Sequence, residues 1–433
     1  MLKSKKTFFG IFLAFFIIEA LISLWTGHDF DLDIWFNTGK WLSQGINIYF
    51  PPLHIGYPPL WAFWCGIAYL VFQFFGENYV VWRFVIKLPL ILANFGLAFI
   101  VGKFVENRFD LRTGRKVALV IVGWSFFIYI SAMWGQINAL SALFAFLAFW
   151  FVVNQKSLLG SVFLGLAITI KIYPVVVLPA FFIYTLKNLG KKKAASFLIS
   201  AIGIPVLFTL FVFALFRWDL LYFFKTIFYS TPVFESGAIL QNVGNMNFWS
   251  FIALQGIDIA SAWEVRQIWV VVLAGNFFYW VRKRKFSEEN FVVSIISFYL
   301  LWMISYGWVA EQSFLDPLPF IFVLILAYRP KKIYIFLVGG INFLIYVYSF
   351  ANHNLFLFRP LLEIVSPSLL VDIEYLYFSS DIGPFLWTVR GTMGLVVSLS
   401  LIVFLAIILK PELLEILQER VQDLKDMILK RKK

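Results

Sequence analysis

The sequence predicts an all-α fold: a polytopic membrane helix bundle of about 12 spans, with an interfacial helix in its first outer loop. Three observations predict it. Hydrophobic residues fill 61% of the 433 positions, aromatic residues 20% and charged residues only 14%, too little polar surface to clothe a soluble domain. Apolar runs near the ~20 residues needed to cross a bilayer recur along the whole chain. The basic residues gather between those runs on one side, as the positive-inside rule requires.

The runs are 7–25, 79–103, 117–134, 136–153, 158–171, 174–186, 195–215, 264–281, 290–308, 314–328, 333–350 and 386–409. The first follows MLKSKK and lacks a small-residue cleavage site, so it reads as a span and not as a removed signal. The run 58–76 decides the threading. Laid along the outer surface, it places the basic clusters at 3–6, 103–116, 156, 187–193, 282–285, 329–332 and 410–433 together. Of the 36 Lys and Arg, that leaves Lys40, Arg83, Lys87, Lys171, Arg217, Lys225, Arg266, Arg359 and Arg390 elsewhere. Crossing the membrane, 58–76 would scatter the clusters over both faces. It therefore reads as an interfacial helix, opened by Pro58 and Pro59 and closed before Glu77 and Asn78.

This threading puts both termini in the cytoplasm and turns 26–78, 217–263 and 351–385 outward. Residues 1–350 form the expected catalytic transmembrane module, 351–409 an outer loop and last span, and 410–433 a basic tail. Alternation of Leu and Ile with charged residues in that tail fits an interfacial helix. The net charge of +12 is explained by this topology, with no nucleic acid implied, and the single Cys65 excludes a disulfide framework.

Candidate chemistry lies on the outer side. Asp29, Asp31 and Asp33 directly follow the first span. In an extended segment they would point the same way; equally, they could be solvated loop charges or the cap of a helix over 34–44. Lys87 and Lys171 stand within or at the mouth of apolar spans, where an unpaired charge costs several kcal/mol. Glu19, inside the first span, is the acidic counterpart and is expected to pair with one of them. A carboxylate base and a cation beside a lipid headgroup suit transfer of a group from a phosphorylated lipid carrier. His28 and His54 flank the loop; either could assist as a base, but a lone loop histidine is more often incidental. Asn245 and Asn247 end a 217–263 loop read as a flap, and are candidate sugar contacts.

The run DFDLDIWFNTGKWLSQGINIY, followed by YPPL at Tyr57–Leu60, resembles the first outer loop of GT-C-fold glycosyltransferases that use polyprenyl-phosphate sugars. It is similar to the family of the first mannosyltransferase of glycosylphosphatidylinositol assembly and its prokaryotic relatives. There an Asp-x-Asp opens the loop, and a Gly-x-x-x-Tyr and a Tyr-x-Pro-Leu turn close it. Gly45, Tyr49, Tyr57, Pro59 and Leu60 fill those places. Downstream, WGQIN (134–138), KIYP (171–174) and EQSFLDPLPF (311–320) match the family's short turns in order.

The resemblance implies Asp31 as general base, with Asp29 orienting it or binding acceptor hydroxyls. It implies Lys171 and Lys87 at the donor phosphate, and Asp33, Tyr57, Gln136, Asn138, Tyr173, Glu311 and Gln312 at the substrates. Trp35 would stack on a sugar or pack the floor of the site. Two departures stand out. Asp33 is an extra carboxylate, and Asn94, seven residues after Lys87, stands where an acidic partner is expected.

No metal and no cofactor are expected, because a lipid monophosphate leaving group needs less charge neutralisation than a nucleotide pyrophosphate. The expected enzyme is a mannosyltransferase acting on a lipid-linked or cell-surface glycan. One base and one displacement imply inversion, so a β-linked donor gives an α-linked product. The expected setting is a prokaryotic cell membrane, with the endoplasmic reticulum as the alternative and a small membrane partner subunit allowed. Two rival readings are a transporter or flippase of lipid-linked sugars and a non-catalytic subunit of a glycan-assembly complex.

Overall fold

The computed structural model describes residues 4–50, 55–224, 245–257, 267–307, 309–352 and 354–416. Among them there is no β-strand. The helices are α1 (Lys5–Trp25), α2 (Asp29–Ser43), α3 (Pro59–Phe74), α4 (Tyr79–Arg108) and α5 (Leu111–Gly123). Next, α6 (Ser125–Ile128) runs into a π-helical turn, Tyr129–Trp134. Then come α7 (Asn138–Val153), α8 (Ser157–Ile170), a 3-10 turn at Tyr173–Val177, α9 (Leu178–Leu189), α10 (Lys191–Phe216) and α11 (Leu220–Phe224). The C-terminal part holds α12 (Phe248–Leu254), α13 (Ile268–Arg282), α14 (Glu288–Ser305), a 3-10 turn at Glu311–Leu315 and α15 (Leu318–Val323). It closes with α16 (Lys332–Ala351), α17 (Arg359–Val365), α18 (Pro367–Phe378) and α19 (Gly383–Leu409).

Every predicted run is occupied by apolar helix. Seven helices are long and apolar enough to cross a membrane, or eight if α5 and its continuation, bent by 46°, form one span. The other runs expected to cross hold shorter helices: α7, α8, Tyr173–Leu189 and α13. At about 1.5 Å per residue, the 14 residues of α8 reach only roughly 21 Å. The shortfall arises where the polar turns at 135–137 and 171–172 interrupt the apolar pattern. The protein is an integral, multi-pass membrane protein.

Packing is sequential at first, α1 on α4, α4 on α5 and α7, and α7 on α8, after which α8 meets α10. The last span, α19, packs against α12, α14 and α16, so residues after 350 join the same bundle. A main core fills this bundle. A second, aromatic core lies under the first outer loop, built from Trp35, Tyr49, Trp61, Tyr69, Trp82, Phe213 and Trp218. The outer loop is therefore anchored to α4 and to the end of α10.

The predicted helix at 58–76 is present as α3, with Pro59 in its first turn and Asn78 capping α4 through Val80 N and Val81 N. The extended reading of the aspartates is corrected. Residues 29–43 form a helix, whose buried side Asp31, Leu32, Trp35, Thr38 and Gly39 has helical spacing. Aspartates in a first turn are stabilised by the N-terminal end of the helix dipole. Helical geometry places Asp29 and Asp33 together and turns Asp31 away from them.

Gly39 fixes the contact between α2 and α3. A Cβ there would lie 2.3 Å from the Cys65 carbonyl oxygen, a backbone atom with nowhere to move. Gly39→Val is expected to destabilise the protein by about 1–3 kcal/mol, as overpacking does. Thermal unfolding in detergent checks this; an unchanged midpoint would show that the helices separate freely.

Candidate active site

The turn between the π-helical segment and α7 organises the site. Gly135 sits at φ 94, in the left-handed region that glycine enters without strain. A Cβ there would meet the Lys87 Cε at 3.2 Å. The chain therefore leaves the helix abruptly and presents Trp134, Gln136 and Asn138 at alternate positions. Trp134 Nε1 donates to Asp31 Oδ2 at 2.6 Å. The Tyr57 hydroxyl donates to Gln136 Oε1 at 3.2 Å. Asn138 Oδ1 accepts from Lys171 Nζ at 2.9 Å, while its Nδ2 donates to Asp316 Oδ2 at 2.7 Å.

The acidic end is Asp31, whose Oδ2 lies 2.9 Å from His28 Nδ1. The His28 ring stacks on Trp134 with centroids 4.6 Å apart. Burial works to raise the Asp31 pKa, but the charge of His28 and hydrogen bonds from His28, Trp134 and Gln136 outweigh it and hold the carboxyl below its usual range. Asp31 is ionised at neutral pH. Burial pulls His28 the other way, and the charges of Asp31, Glu311 and Asp29 overcome it, leaving the imidazole above its ordinary value.

The cationic end is Lys171, only 1% exposed in the turn between α8 and the next helix. Burial pushes its pKa down to about 8 against the opposing charges of Asp316 and Asp31. Its ammonium lies 4.9 Å from the Tyr173 ring centroid and 5.6 Å from that of Tyr57. Asp316 also accepts from Ser141 at 3.3 Å. Lys171 thus has a carboxylate counterion one amide away, which lets it stay charged in an apolar surround.

The remaining residues divide sharply. Glu311 is fully buried and accepts from Asn352 at 3.1 Å, Asn354 at 3.2 Å and Ser349 at 3.4 Å. The buried Gln312 Oε1 has no hydrogen-bond partner among the described residues. Asp29 pairs with Arg359 at 3.3 Å, linking α2 to the start of α17. Burial raises the Asp29 pKa, and Arg359 and His28 oppose it. Asp33 is exposed. Trp35 is fully buried against Tyr57 and Trp61, so it packs the floor.

Several expectations are corrected. Lys87 faces four backbone carbonyls: Thr26, Ser23 at 3.3 Å, Ala132 at 3.0 Å and Met133 at 3.1 Å. An ammonium has three N–H bonds, so none is left for a donor phosphate. Glu19 pairs with neither lysine; Asn94 Nδ2 donates to its Oε2 at 2.9 Å, and Asn94 in turn accepts from Ser131. The uncharged amide at 94 therefore has the buried Glu19 carboxyl to serve. Asn245 and Asn247 are buried, and their amide groups are committed to the backbone at the end of α14, at Gly307, Met303 and Tyr306, in place of the expected sugar contacts. His54, Lys225, Arg266, the flap residues 225–244 and 258–263, and the tail from 417 onward lie outside the described residues.

Sequence reasoning set His28 aside as incidental and gave no role of their own to Asp316, Trp134 and Arg359. A signal existed for Asp316, the one carboxylate in the apolar stretch 314–328. For His28 the signal was its spacing of three from Asp31, which puts both side chains on one helix face.

The family model described as Glycosyltransferase family 87 matches residues 55–306, more than half of the chain. The match includes Tyr57, Lys87, Gln136, Asn138, Lys171 and Tyr173, and begins after the three aspartates of α2. No curated protein matches the sequence.

Proposed function

This chain belongs to glycosyltransferase family 87, and from that premise we propose that it moves mannose from a polyprenyl phosphate to a lipid-linked or cell-surface glycan acceptor, with inversion at the anomeric carbon. It is a membrane glycosyltransferase. The observation that carries the finer reading is the pairing of Asp31 and Lys171 at opposite ends of the Trp134–Asn138 turn, close enough for each charge to act on the other.

The reaction follows from that pairing. The acceptor hydroxyl gives its proton to the ionised Asp31, beside which His28 holds the carboxylate in place. The oxygen freed of its proton attacks the anomeric carbon. The bond from that carbon to the phosphate oxygen breaks, and its electron pair leaves with the polyprenyl phosphate. Lys171 faces the growing phosphate charge in a buried site, where one ammonium counts for more than in water. Attack opposite the leaving group inverts the carbon. In this reading Gln312, Glu311, Gln136 and Tyr173 hold sugar hydroxyls and a pyranose face, and Asp29 orients the α2 terminus through Arg359.

The carboxylates support a metal-free reaction, because Asp31 already answers His28 and Trp134, and Asp29 answers Arg359. On the charge threading the site faces the side of the membrane away from the basic termini. In our reading that side is the outside of a prokaryotic cell membrane, with the endoplasmic reticulum lumen as the alternative. Purified protein given polyprenyl-phosphate mannose and a membrane-lipid acceptor extract is expected to form a mannosylated product at an undiminished rate in excess chelator. Transfer only from a nucleotide sugar, or loss in chelator restored by magnesium or manganese, defeats the reading.

A further inference from the structure

Lys87 lies in the middle of this machinery yet touches no substrate-facing group. Its fully buried ammonium sits between two chain ends. Ser23 and Thr26 offer the last carbonyls of α1; Ala132 and Met133 offer those of the π-helical turn. Helix ends carry partial negative charge and unpaired carbonyls, and a cation placed there meets both needs. Other bonds follow the same seam. The Thr26 hydroxyl reaches Ala132 O at 3.4 Å, and His28 N donates to Trp134 O at 3.2 Å.

The two ends joined here carry opposite halves of the site. The α1 end leads within six residues to His28 and Asp31. The π-helical end leads to Trp134, which bonds Asp31, and onward to Gln136 and Asn138, which bond Tyr57 and Lys171. A shift between the ends would pull Asp31 off Trp134 and change its distance from the Lys171 end.

We infer that Lys87 is a positioning residue for the transfer reaction, whose ammonium pins the end of the first span to the Trp134–Asn138 turn and so sets the separation of the base from the donor phosphate site. This rests on the proposed reading of the site. It differs from a phosphate-binding role in a measurable way. A pin alters how fast bound substrates react; a phosphate ligand alters how tightly the donor binds.

The experiment uses the full chain reconstituted in liposomes, as wild type, Lys87→Met, Lys87→Arg and Lys171→Met. Steady-state kinetics with varied polyprenyl-phosphate mannose are combined with amide hydrogen exchange over residues 23–32 and 129–138. For Lys87→Met, kcat is expected to fall tenfold or more with donor KM within twofold of wild type, and exchange should rise in both segments together. Lys87→Arg should recover part of kcat and of the protection. A donor KM raised as far in Lys87→Met as in Lys171→Met overturns the inference, as does exchange that rises in neither segment or in only one. Exchange is read without turnover, so absence of transfer by the wild type defeats the proposed activity and leaves the pin to be judged on protection.

Discussion

Transfer by Asp31→Asn is expected to fall by about 10²–10⁴-fold, the usual worth of a positioned general base. The amide is nearly the same shape, and its oxygen still accepts from Trp134 Nε1, now 2.6 Å from the carboxylate it replaces. What it loses is the capacity to take a proton and the negative charge that balances His28. Product formation from radiolabelled donor measures the loss, and near-native thermal unfolding shows that the fold survives. Activity within about threefold of wild type would remove Asp31 from the reaction. Asp33→Asn, an exposed position, serves as the control and is expected to retain activity.

The second large effect belongs to Lys171. Lys171→Met keeps the length and apolar stem of the side chain and deletes its charge, leaving Asp316 and Asn138 without their cation. Removing one preorganised donor at a developing negative charge costs about 10²–10³-fold in rate, and here the donor KM should rise as well. The pH profile gives an independent sign. With a pKa pushed down to about 8, Lys171 is protonated below that value and loses its charge above it. Wild-type kcat/KM should therefore decline as the pH passes about 8, while Asp31, held below the ordinary carboxylate range, adds no loss near neutrality. That alkaline decline should vanish in Lys171→Met. An alkaline limb shared by both proteins would assign it to another group.

How much of this was legible depended on distance along the chain. Apolar runs announce spans because a bilayer demands them residue by residue, and charge clusters order those spans; both readings needed only local sequence. The helix at 29–43 was also local, but alternate aspartates mimic a strand's period. The deciding set, Leu32, Trp35 and Gly39, starts between them, runs past them and shows its helical spacing only once burial is known. Charge partners were harder. Asp31 meets Trp134 across 103 residues, Asn138 meets Asp316 across 178, and Asp29 meets Arg359 across 330. Nothing in a single sequence encodes such pairings, since each partner is an ordinary polar residue until the bundle closes. Lys87 shows the complementary limit. An intramembrane lysine advertises a function, yet main-chain oxygens are invisible in a list of side chains, so its acceptors could not be foreseen.

On the proposed mechanism, the five residues from Trp134 to Asn138 act as a jig, because a single stretch of backbone carries the partners of both Asp31 and Lys171. On that mechanism, residues around the site can change, and with them the choice of acceptor, without altering the interval between Asp31 and Lys171. Inserting a single residue in that stretch should do the reverse: every contributing side chain would still be in the protein, and transfer is expected to be lost.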